Sequence, residues 1–166
     1  MGPIIMLAAL LGFLPGPAVT ASTPVVSKDE NHFSQRFSRR KETIRIDVWR
    51  RPFRSDRHHI KLIDGSLETV DGYVPMGTDG GPPEALKTEI SRVRVAWRGA
   101  TVEVKRELFQ DCFNVSLAAP TISPSEDFRS VLILLGGGDG AGAYGAYLII
   151  SRDGFATRFL ADEGGL

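Results

Sequence analysis

Residues Thr43–Arg50 alternate strictly, with Ile44, Ile46 and Val48 on one side of an extended chain and Arg45, Asp47 and Trp49 on the other. A period of two is the mark of a half-buried strand. Arg92–Arg98 repeats the pattern, setting Val93, Val95 and Trp97 against Arg92, Arg94 and Arg98. Arg98-Gly99-Ala100 then turns the chain, and Thr101–Lys105 returns with Val102 and Val104 inward, which predicts an antiparallel hairpin. His59–Ile63 is a shorter strand closed by Asp64-Gly65. Val131–Leu135 is apolar at every position and Ala146–Ser151 nearly so, as expected of central strands covered on both faces. Arg152-Asp153-Gly154 turns into a last strand, Phe155–Leu160.

Between these runs the pattern breaks. Leu67–Pro83, rich in Gly and Pro, predicts a long irregular connection, and Glu84–Lys87 one helical turn after two prolines. Leu108, Phe109, Cys112 and Phe113 recur at helical spacing, so Arg106–Phe113 predicts a short amphipathic helix. Pro120 and Pro124 bracket a loop. Residues 22–42 are polar and basic with scattered Phe33 and Phe37, the profile of a flexible N-terminal arm. The expected fold is mainly β, with α+β as the alternative. It is an antiparallel β-sandwich or rolled sheet of about six to seven strands with one or two short helices, forming one domain over 43–166.

The N-terminus changes the expected compartment. Ile4–Leu14 is an apolar run of eleven residues, short for a bilayer span, followed by Pro15-Gly16-Pro17 and the small residues Val19-Thr20-Ala21. Residues 1–21 therefore predict a signal peptide, a secreted or periplasmic protein, and no transmembrane segment after cleavage. No Lys or Arg precedes the apolar run. Cys112 is the single cysteine, so no intramolecular disulfide can form and a buried thiol is expected. Asn114-Val115-Ser116 matches a glycosylation acceptor.

Charge is balanced overall, with 20 basic and 20 acidic residues, but unevenly placed. Lys28–Lys61 holds 11 basic and 5 acidic residues, net +6, and Leu62–Leu166 holds 9 and 15, net −6. The basic part interleaves Arg50, Arg51 and their neighbours with Phe33, Phe37, Trp49 and Phe53, a composition suited to polyanions. For an exported chain the candidate partners are an envelope or extracellular protein or an anionic polymer, rather than nucleic acid.

Catalytic patterns are weak. Gly140-Ala141-Gly142-Ala143-Tyr144-Gly145 has the spacing of a dinucleotide fingerprint, but a strand rather than a helix follows it, and no Lys-Ser or Lys-Thr completes a phosphate loop. A Gly-rich hairpin fits better, so no nucleotide or other cofactor is expected. Asp139 and Tyr144 remain candidate contact residues on that loop, beside Trp49, Arg50 and Arg51 of the basic segment. His58 and His59 are adjacent and would face opposite ways on a strand, and His32 lies in the arm, so no metal set is expected. The chain thus reads as a non-catalytic binding or inhibitor-like module. The alternative is a secreted hydrolase built from dispersed carboxylates and His58 or His59.

Overall fold

The computed structural model describes residues 29–118, 120–138 and 142–161; the expected signal segment 1–21 and the loop residue Asp139 lie outside them. Among the described residues ten strands follow one another: β1 (His32–Arg39), β2 (Glu42–Pro52), β3 (Ile60–Ile63), β4 (Ser66–Val70), β5 (Thr88–Trp97), β6 (Ala100–Glu103), β7 (Thr121–Pro124), β8 (Ser130–Gly137), β9 (Tyr144–Ser151) and β10 (Ala156–Ala161). They form two four-stranded sheets, β1-β2-β5-β6 and β10-β9-β8-β7, with β3-β4 as a separate hairpin. All pairings between these strands are antiparallel. The protein is mainly β and sandwich-like.

The alternating faces explain the core. Ile44, Ile46 and Val48 of β2 and Val93 and Val95 of β5 are fully buried, and they share one cluster with Val131, Ile133, Leu135, Leu148 and Ile150 of the other sheet. Trp97 adds a polar tie, its indole N–H donating to the Phe128 carbonyl at 2.9 Å. A smaller cluster of Leu67, Val70, Leu86 and Phe113 seats the β3–β4 hairpin.

Three strands lie outside the seven that alternation predicts. β1 occupies the supposed flexible arm, so the sheet begins at His32 rather than residue 43; Phe33 and Phe37 point inward, and the polar Gln35 between them hides the period. β4 falls in the expected irregular connection, where a register shift between Lys61 and Leu62 disturbs the alternation of the hairpin. β7 carries Pro124, which an edge strand tolerates. The expected helix at Arg106–Phe113 is only a 3-10 turn, Arg106–Leu108. Beyond it the backbone pairs sideways instead of along a helix: Met76 N–H donates to Asp111 O, and Phe113 N–H to Met76 O. The helical turn expected at Glu84–Lys87 is the 3-10 turn Pro83–Ala85.

Candidate functional site

The Gly-rich connection is a β-hairpin, with Gly136 opposite Gly145 and Gly137 opposite Tyr144. Its glycines do more than turn the chain. A Cβ on Gly137 would stand 2.7 Å from Asn114 O, and one on Gly142 2.8 Å from the Thr78 carbonyl carbon. The hairpin therefore lies backbone to backbone against residues 77–79 and 113–114. At Gly136, one residue away, the nearest atom to a Cβ would be 3.5 Å off. Gly137→Ala should cost about 2 kcal/mol of stability through this overlap, whereas Gly136→Ala should be nearly neutral. Thermal unfolding of the two variants checks the contrast.

Tyr144 is half-buried, not the exposed anchor expected of a contact residue; its hydroxyl donates to Phe113 O at 3.0 Å. Burial, then the neighbouring Cys112, pushes its ionisation upward. Cys112 is itself fully buried, and burial with the adjacent Asp111 pushes its thiol up to about 12, so it stays protonated and unreactive. Arg158 of β10 closes this corner by donating to Asp111. Asn114 sits at the centre, with φ of 53°. Its Nδ2 donates to Gly77 O and Ala85 O, at 2.9 and 3.0 Å, leaving neither hydrogen for a glycan in the folded chain.

The histidines do not converge. His59 is exposed, His32 lies on β1, and the His58 ring is enclosed, its side chain 2% exposed. His58 Nδ1 stands 2.8 Å from Asp71 Oδ2, and Nε2 lies 3.4 Å from Glu89 Oε1 without a hydrogen bond. Phe53 stacks on the ring at 4.8 Å. Burial draws the Asp71 carboxyl up, but the hydrogen bonds from His58 and the His59 N–H outweigh it and hold Asp71 below the usual carboxylate range. Buried Glu89 also takes Arg51 Nε at 2.6 Å. A catalytic histidine turns one nitrogen to a carboxylate and the other to a nucleophile. Here both nitrogens face carboxylates, and the arrangement ties the β3–β4 hairpin to β5.

Trp49 organises the other cluster. It stands on the outer face of β1-β2-β5-β6, half-buried, with the His32 ring from β1 stacked at 4.6 Å and an interplanar angle of 3°. From β5 on its other side, the guanidinium carbons of Arg92 and Arg94 lie 4.9 and 5.1 Å from the ring centroid, within cation–π range. Asp47, one step along β2, is wholly buried beneath Arg94 Nη2 at 2.8 Å and Arg45 Nη2 at 3.0 Å. Arg92 pairs in two-pronged fashion with Glu103 of β6. Interstrand pairing thus makes a ladder of Arg, Trp and carboxylate across four strands.

Of the residues singled out by sequence, only Trp49 belongs to this ladder. A bulge between Trp49 and Arg50 breaks the alternation. Arg50 turns to donate to Val115 O at 3.0 Å, and Arg51 goes to Glu89. Arg45, Asp47, Arg92 and Arg94 were visible as outward positions by period alone; that they meet at Trp49 depends on a β2–β5 pairing some forty residues apart. No family model, no curated protein and no solved structure matches this chain.

Proposed function

We propose that the protein is a non-catalytic binding module that takes an anionic partner on the outer face of β1-β2-β5-β6. The observation that carries this reading is the Trp49 stack, a rigid aromatic held between His32 and two arginines. Outward-facing Arg36, Arg45, Arg92 and Arg94 set against Asp47 and Glu103 give the face a net +2 before any charge on His32. Stacking on Trp49 holds the Arg92 and Arg94 guanidinium groups in place, so little side-chain entropy is lost when a ligand arrives. Arginine with an aromatic platform suits sulfated or phosphorylated polymers and acidic proteins. Export, expected from residues 1–21, makes a cell-surface polymer or an envelope protein the natural class. The hydrolase alternative is weakened by the enclosure of His58 between two carboxylates.

Heparin affinity in a salt gradient tests the proposal. The wild-type chain should be retained at about 50 mM salt, and Trp49→Ala combined with Arg92→Gln should weaken binding about tenfold, since one aromatic stack and one charge contact are lost together. Unretained wild-type protein, or equal retention of the double variant, would overturn the reading.

A further inference from the structure

The second sheet presents the opposite kind of surface. β8 reads as a strand covered on both sides, yet only Val131, Ile133 and Leu135 enter the core. Leu132 and Leu134 point the other way, level with Ile149 and Tyr147 of β9, and Phe159 of β10 continues the row beside Tyr147. The first four are half-buried by their strand neighbours and belong to neither core cluster, while Phe159 is 46% exposed. The remaining outward positions from Ser130 to Gly145, and those on β7, are Ser, Thr or Gly. This sheet face therefore carries no charged side chain among the described residues, whereas the face across the core carries six.

We infer that the outer face of β10-β9-β8-β7 is a self-association surface, occupied by the same face of a second copy. Three features select that partner. An uncharged surface has no charge to repel its own image under twofold symmetry. Two sheets of identical right-handed twist can stack aligned, so a second copy offers a matching shape. With strands about 4.8 Å apart and a rise of about 3.4 Å per residue, the 13 outward positions of β7 to β10 cover about 420 Å². A pair of copies then buries about 850 Å², the size of weak, transient interfaces, which points to a readily reversible dimer. A membrane fits less well, because the arginines that would meet anionic headgroups lie on the far side of the sandwich. Pairing in this manner leaves both Trp49 faces outward, and where the anion-binding reading above holds, it makes the module bivalent.

Analytical ultracentrifugation of the full chain between about 1 and 500 μM, without any polyanion, is the test. Wild type should shift from monomer to dimer with a dissociation constant of about 50 μM. Leu134→Glu should remain monomeric up to about 500 μM. Thr101→Glu, on the exposed cationic face, should dimerise like wild type. At 1 μM, where all are monomers, Leu134→Glu and wild type should melt together, showing that the charge has not unfolded the sheet. Wild type that stays monomeric throughout would overturn the inference, as would association that persists in Leu134→Glu. Capture by neutral phosphatidylcholine vesicles without dimerisation would assign the face to lipid and overturn it equally. None of these outcomes depends on heparin retention, so the two proposals stand or fall separately.

Discussion

Asn114→Ala is expected to destabilise the protein by about 4 kcal/mol, a large part of the roughly 5–15 kcal/mol that holds a typical domain folded. The side chain makes four hydrogen bonds to backbone: Oδ1 accepts from Lys87 N–H at 2.7 Å and Thr88 N–H at 3.3 Å, and Nδ2 donates to Gly77 O and Ala85 O. The three part-buried bonds are worth about 1 kcal/mol net each, while water can replace the exposed one from Lys87. The backbone adds to the loss, because alanine at φ of 53° costs about 1 kcal/mol more than asparagine or glycine. Asn114→Gly should therefore lose about 1 kcal/mol less than Asn114→Ala. Asn114→Asp keeps both acceptor contacts but aims a carboxylate at two carbonyl oxygens. Its deficit should shrink as the pH falls and a proton restores one donor. Urea unfolding at pH 7 and pH 4 measures all three, and a loss below about 1 kcal/mol for Asn114→Ala would mean that water replaces these bonds.

This residue also shows what a sequence can and cannot reveal. Asn114-Val115-Ser116 reads as a surface acceptor, and nothing local shows that Asn114 turns inward to gather segments near residues 77, 85 and 88. The same holds for the glycines of the β8–β9 hairpin. Their turn-forming role follows from composition, while the need for bare backbone at Gly137 and Gly142 arises from segments about 25 and 60 residues earlier. β2, β5, β6, β8, β9 and β10 were legible because each has a face that must leave water, and burial imposes a period of two. β1, β4 and β7 were obscured by a polar inward residue, a register shift and a proline, all of which short or edge strands tolerate. The Trp49 ladder was half legible. Alternation marked its members as outward, but strand pairing chose its neighbours, and the bulge after Trp49 redirected Arg50 and Arg51.

Within that ladder, Asp47→Ala should move stability and anion binding in opposite directions. The carboxylate is fully buried and meets Arg94, Arg45 and, at 3.2 Å, His32. Removing one member of a buried ion pair costs about 3–5 kcal/mol when the other stays buried. Arg45 and Arg94 are 43% and 29% exposed and can rehydrate, so a loss of about 2 kcal/mol is expected here. Burial draws the Asp47 carboxyl up, but the hydrogen bonds from Arg94, Ser34 and Arg45 more than offset it and leave it below the usual carboxylate range. A folded-state value below the unfolded one means that the contribution is complete above about pH 4 and disappears as the pH falls through the lower folded value. The gap between wild type and Asp47→Ala should thus close in acid, as Asp47 takes up its proton. Heparin affinity should meanwhile rise severalfold, because the face gains one net charge and two arginines are released, and the dependence of log affinity on log salt should steepen by about one. General loosening of the sheet would lower both quantities together. An affinity that falls with stability would therefore leave Asp47 as a structural residue and remove the anion from the Trp49 face.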